Sequence, residues 1–257
     1  MTKVYHVNCG TLQKGENPTV LCHCLLLEDK NGIALVDAGI GAADVLHPFE
    51  RIGKELIEMS GFQFNMENTA VAQIQKLGFD TNAVKHCIVS HLDPDHIGGL
   101  ADFPNLQVHV SQEEYQSFWD GHFRYRLIQL AHNPAVSTCS KSDTKWFGLE
   151  ARKVTIGFSS AVLLVPLFGH TLGHCGVAIQ QNDKWLFYIG DAYYLRDELF
   201  IENHPVSALA MANSMDNQLR LESLEKLKQL LKDHQGEIEM FGYHDPAEFY
   251  YKSPASD

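Results

Sequence analysis

Four apolar runs in this chain each end, within a few residues, on a histidine or an aspartate. They cover residues 84–90 before His91, 161–168 before His170, 185–189 before Asp191 and 237–241 before His244. Each run is short, bounded by turn residues and rich in branched or aromatic side chains, which predicts strands. Taken singly, each ending is ambiguous, because an aspartate after a glycine often only caps the next turn. Repetition narrows the choice. Polar side chains carried past strand ends sit on loops held by a rigid scaffold, so the pattern points to one shared cavity at a sheet edge.

The remaining elements fit that picture. Residues 20–28 (VLCHCLLLE) and 33–37 (IALVD) read as a strand pair turned by Asn31-Gly32, a strong hairpin signal. Apolar spacing predicts helices over 45–59, stopped by Gly61, and over 69–77, stopped by Gly78. A strand is expected at 106–110, helices at 112–119 and 123–132, a further strand at 176–181 and a well-patterned helix at 216–233. Asp245-Pro246 reads as a turn, and 253–257 as a polar tail. Strands precede helices in both halves, which favours helices covering sheets over an all-β barrel.

At 257 residues the chain suits one large domain, spanning 1–257. With 20 basic against 32 acidic side chains, its formal charge of −12 argues against nucleic acid and against an anionic membrane surface. No stretch is apolar enough to span a membrane, and the N-terminus has no apolar core of a signal peptide. The six cysteines are scattered and several lie in apolar runs, so free thiols in a cytoplasmic compartment are expected.

Residues 90–96, SHLDPDH, crowd two histidines and two aspartates behind an apolar strand. In extended chain, His91, Asp93 and Asp95 point to one side, and a turn at Pro94 lets His96 approach the same space. Imidazole and carboxylate together suit zinc and other divalent first-row ions. Gly98-Gly99 then allows close backbone packing.

The ordered set resembles the metallo-β-lactamase superfamily, whose signature is His-x-His-x-Asp-His followed by a distant His, an Asp and a last His. Its positions here are His91, Asp93, Asp95, His96, His170, Asp191 and His244, while "ALVDAG" with Asp37 and "GHTLGH" match further family stretches. The resemblance spans about 20–246 and implies an αββα four-layer sandwich of the α/β class with two divalent ions between the sheets. It implies that His91, Asp93 and His170 hold one ion and that Asp95, His96 and His244 hold the other. Asp191 would bridge them, with Asp37 and His174 in support.

The implied activity is a hydrolase in which a metal-bridged hydroxide opens a lactone or cleaves a related ester, with Asp95 passing the proton. "GDAYY" is similar to the motif of N-acyl homoserine lactone lactonases, which implies that Tyr194 reaches the substrate carbonyl; packing against the sheet edge is the alternative. Segments 45–65 and 117–150 would wall the pocket, and Phe118, Trp119, Phe123 and Tyr125 would line it for an acyl group, or serve a homodimer contact or core packing. A thioesterase of the glyoxalase II type is the nearest rival.

Asp93 stands where the family has its second histidine. The added carboxylate lowers the net charge of the cluster and favours harder ions, so Mn²⁺ or Fe²⁺ is accommodated beside zinc. Two readings of another class follow: an iron-dependent redox enzyme, or a metal-stabilised binding module with one site weak.

Overall fold

The computed structural model describes residues 2–16 and 19–252, so the polar tail at 253–257 lies outside the described residues. Its first sheet comprises β1 (Lys3–Leu12), β2 (Val20–Asp29), β3 (Gly32–Val36), β4 (Phe62–Gln63), β5 (Val84–Ile88), β6 (Gln107–Ser111) and β7 (Ala135–Cys139). They lie in the order β4-β1-β2-β3-β5-β6-β7. Neighbours from β4 to β3 are antiparallel, whereas β3, β5, β6 and β7 run parallel. A ribbon of β8 (Lys145–Trp146) and β9 (Leu149–Glu150) leads to the second sheet. That sheet holds β10 (Arg152–Val154), β11 (Val162–Pro166), β12 (Cys175–Gln181), β13 (Lys184–Tyr188) and β14 (Ile238–Phe241), in sequence order.

Strand direction explains the recurring pattern. Because β11 and β13 are both antiparallel to β12, and β14 is parallel to β13, all three finish at one edge. The parallel β3 and β5 likewise finish together. Backbone hydrogen bonds join these edges across the sheets: Cys175 N–H donates to Ser90 O (2.9 Å) and His23 N–H to Tyr243 O (3.2 Å).

Period-two alternation divides the core into layers. Val162, Leu164, Val177, Ile179 and Tyr188 face the first sheet, while Leu163, Val165, Ala178 and Phe187 face the opposite way. The helix Asn217–His234 covers that outer face with Leu224, Leu227 and Leu230, and Asp216 caps it by accepting from Leu219 N–H (3.0 Å). Helices Ala70–Lys76 and Gln112–Trp119 carry Ile74 and Phe118 into the first core. The result is the expected αββα sandwich. Among the described residues no helix is long and apolar enough to cross a membrane.

Two helices expected from spacing are not there. Residues 45–59 break into Ala42–Leu46, Pro48–Arg51 and Lys54–Ser60. Pro48 holds His47 out of helical geometry (φ −132°, ψ 53°), and Gly53 turns the chain at φ +90°. Over 123–132 only a 3₁₀ turn forms, at Leu127–Leu130, because Arg124 and Tyr125 are drawn inward by buried polar partners. Strands β1 and β7 and the helices Pro205–Ala212 and Pro246–Lys252 are additional to the expected elements. Pro246 thus starts a helix instead of closing a turn, with Asp245 Oδ1 accepting from Ala247 N–H (2.9 Å).

Close backbone approach fixes the chain around residues 37–41 against the segment at 98–99. Gly99 N–H donates to Gly39 O (3.1 Å), and a Cβ on Gly99 would lie 2.3 Å from Ala38 O. Gly99→Ala is therefore expected to lower the unfolding free energy by roughly 1–3 kcal/mol. Urea denaturation reads this directly, and an unchanged midpoint would show that the two segments can separate freely.

Candidate metal centre

The chain places its polar strand endings in one cavity by fixing Asp37 first. This residue follows β3, adopts φ +53°, a region that aspartate tolerates better than most side chains, and is fully buried. Its carboxylate accepts from Ser90 N–H (2.7 Å), the Ser90 hydroxyl (2.7 Å), His96 Nδ1–H (2.8 Å) and the Tyr188 hydroxyl of β13.

These bonds decide which ring nitrogens remain open. Ser90 sends its only hydroxyl proton to Asp37, so it accepts from His91 Nδ1 (3.0 Å). His91 and His96 therefore carry protons on Nδ1 and turn their Nε2 atoms inward. His244 Nδ1–H donates to Leu21 O (2.8 Å), which turns its Nε2 inward as well. Both His91 Nε2 and His96 Nε2 are buried without a hydrogen-bond partner, as is Asp191 Oδ1. Buried polar atoms are rarely left so. A divalent ion is the partner that such lone pairs suit, and the donor set fits one.

Asp191 stands at the centre. Its Oδ1 is 3.4 Å from His96 Nε2, and its Oδ2 is 3.4 Å from His244 Nε2 and 3.5 Å from His170 Nε2. Two groups have donor atoms mutually within 4.8 Å: His91, His170 and Asp191, and Asp95, His96 and His244. Asp95 Oδ2 lies 3.6 Å from His244 Nε2. His174 is turned away from this set, with Nδ1–H donating to Leu167 O (2.9 Å) and Nε2 accepting from Asp191 N–H (3.0 Å). Burial pushes it down to about 4, in keeping with an unprotonated Nε2.

Asp93 reaches the same space, its Oδ2 3.3 Å from His91 Nε2 and 3.2 Å from His170 Nε2. Both its oxygens are also gripped by Arg124, through Nε to Oδ1 (2.7 Å) and Nη2 to Oδ2 (2.7 Å). Burial alone would raise this carboxyl, but Arg124 and His91 hold it well below the usual carboxylate range. Tyr194 lies beside the centre, its ring edge-on to His244 (5.5 Å between centroids) and His170 (5.9 Å). Its hydroxyl accepts from Asn213 Nδ2 (3.3 Å), and burial raises its pKa.

The motif reading missed Arg124, which sits in a segment of weak periodicity and was to be sought only as the counter-charge an extra carboxylate demands. It also missed Glu114, buried at the start of the helix Gln112–Trp119. Glu114 accepts from Leu92 N–H (2.9 Å), the Thr171 hydroxyl (2.5 Å), Gly173 N–H (3.2 Å) and the Tyr125 hydroxyl (3.0 Å). One carboxylate thus ties together the loops bearing His91, His170 and Arg124. Burial pushes it up to about 7, against the pull of these donors.

So many buried nitrogen and oxygen atoms facing one space between two sheets are the mark of a metal-binding centre. A family model described as the metallo-β-lactamase superfamily matches residues 17–233, and the chain belongs to that superfamily. Among its relatives is a probable metallo-hydrolase of Mycobacterium tuberculosis, 34% identical over 95% of this chain and 80% of the relative. An N-acyl homoserine lactonase of Bacillus cereus is 25% identical over 86% of this chain and 81% of its own length. Solved structures share the fold: the AiiA lactonase of B. thuringiensis with N-decanoyl-L-homoserine bound superposes at TM-score 0.71, with 22% identity over 95% of this chain and 94% of that one. AidC, a dizinc quorum-quenching lactonase, gives 0.66, with 18% identity over 95% and 88%.

Removing the Glu114 carboxylate would strand four donors, three of them on or beside the loops that carry His91 and His170. Glu114→Ala is expected to cost roughly 3 kcal/mol or more in unfolding free energy. A loss under about 1 kcal/mol in chemical denaturation would show that water or rearrangement satisfies those donors.

Proposed function

We propose that this protein is a dinuclear metal-dependent hydrolase that opens a lactone or cleaves a related ester. The observation that carries the reading is the convergence of Nε2 atoms from His91, His96 and His244 on Asp191, each turned inward by a hydrogen bond at Nδ1. In this reading His91, Asp93 and His170 hold one ion, Asp95, His96 and His244 hold the other, and Asp191 is shared. Bound ions would polarise a substrate carbonyl and acidify water toward neutrality; zinc suits the imidazole nitrogens of both groups, and the carboxylates accommodate Mn²⁺ or Fe²⁺.

The chain's own groups supply the rest. Burial raises the Asp95 carboxyl, which fits a group that takes a proton and returns it to the departing oxygen. The Tyr194 hydroxyl receives a hydrogen bond from Asn213, so its own proton is free to meet an oxygen that gains charge. Leu56 and Met59 from one wall segment and Phe123, Tyr125 and Leu127 from the other border a cavity of ≈ 410 Å³ that Glu55, His122 and Arg126 also line. Its apolar side suits an acyl chain, and the N-decanoyl-L-homoserine held by the AiiA lactonase supports an acyl lactone as the substrate class. We read residues 1–257 as one domain, with 45–65 and 117–150 as pocket walls, working in the cytoplasm.

A panel of acyl lactones, aryl esters and thioesters tests this reading. Turnover of a lactone or ester is expected, removed by a chelator and restored by Zn²⁺, Mn²⁺ or Fe²⁺. No turnover after reconstitution with any of the three would sink it, and turnover of thioesters alone would favour a thioesterase. Tyr194→Phe is expected to lower kcat by about 10²-fold with metal content intact. Unchanged kinetics would reduce Tyr194 to a packing residue.

A further inference from the structure

Asp93 does not stand in its position alone. Arg124 spends every N–H of its guanidinium there: Nε and Nη2 on the two Asp93 oxygens (2.7 Å each), Nη2 also on His170 Nε2 (2.9 Å), and Nη1 on His170 O (2.9 Å) and Asn213 O (2.8 Å). The group is largely buried, at 11% side-chain exposure, and permanently charged. Two consequences follow from position alone. The positive charge cancels the negative charge that an aspartate brings in place of a neutral histidine. The N–H on His170 Nε2 also covers a lone pair that an ion at the first position would need.

The second position is free of this interference. No atom of Arg124 hydrogen-bonds to Asp95, His96, His244 or Asp191 among the described residues. Cations crowded into one low-dielectric space repel strongly, so the guanidinium and an ion cannot share the first position as arranged. Resting on the metallohydrolase reading above, we propose that Arg124 is a built-in competitor for the first ion, which makes the two metal positions unequal. Asp95, His96, His244 and Asp191 take one ion tightly. His91, Asp93 and His170 take the other only by displacing the guanidinium.

Displacement would be felt further out. Arg124 releases Asn213 O when it leaves, and Asn213 carries the hydrogen bond to Tyr194. Loading of the first position is thereby linked to the group proposed to meet the substrate.

Zn²⁺ titration of the full chain against a chromophoric chelator measures both affinities without reference to turnover. The natural chain is expected to show constants at least about 100-fold apart, and Arg124→Gln to tighten the weaker site by about 10-fold or more while leaving the tight site unchanged. Arg124→Lys keeps a charge but cannot span both carboxylate oxygens and His170, so a smaller gain in the same direction is expected. It carries the comparison should the Gln variant lose its fold, which circular dichroism reports. Two equal sites indifferent to residue 124, or a weaker site that loosens when Arg124 is removed, would overturn the inference and leave the hydrolase reading standing. Failure of the natural chain to bind any Zn²⁺ would overturn both.

Discussion

The carboxylate of Asp37 organises the centre from outside it. It accepts two hydrogen bonds from Ser90, one from His96 and one from Tyr188, and so joins the loop after β5 to a strand of the opposite sheet. A buried carboxylate is tolerable only with such compensation, and these are charge-assisted bonds. Its effect passes along the chain of donors. With the Ser90 proton committed to Asp37, the tautomer of His91 is fixed, and His96 is fixed directly. Geometry between sheets and chemistry within the cleft thus rest on one side chain.

Glu114 does for the outer side of the centre what Asp37 does for the inner side. Its four donors come from the His91 loop, the His170 loop and Tyr125, the neighbour of Arg124. The segments that carry His91, His96 and His170 are held to the sandwich by buried carboxylates, which gives their side chains a fixed direction.

Much of this was legible in the sequence because strands impose period two and because the polar endings recur in order. Residues 162–166 are apolar on both faces, as a strand covered on both sides must be, and 84–88 ends on the buried pair Cys87-Ile88. The helix at 217–234 carries its own cap and apolar stripe. The segment at 45–59 has helical spacing too, yet Pro48 and Gly53 overrule it, since backbone restrictions act at single positions and outweigh a pattern. The set from His91 to His244 could be read because each member follows a strand. Arg124 and Glu114 could not, because their roles depend on tertiary partners 31 and 57 residues distant, Asp93 and Thr171.

The aspartate at 93 is an anomaly only when Arg124 is left out. Together they form a neutral pair in place of a neutral imidazole, and they keep the electrostatics of the cleft close to what a histidine there would give. The central claim is that the cleft around Asp191 binds divalent metal. Anomalous diffraction from crystals grown with Zn²⁺, collected across the zinc edge, tests it most directly. A peak at about 2.0–2.1 Å from His96 Nε2 and His244 Nε2 is the expected result. Peaks confined to the protein surface, with none beside Asp191, would contradict the account.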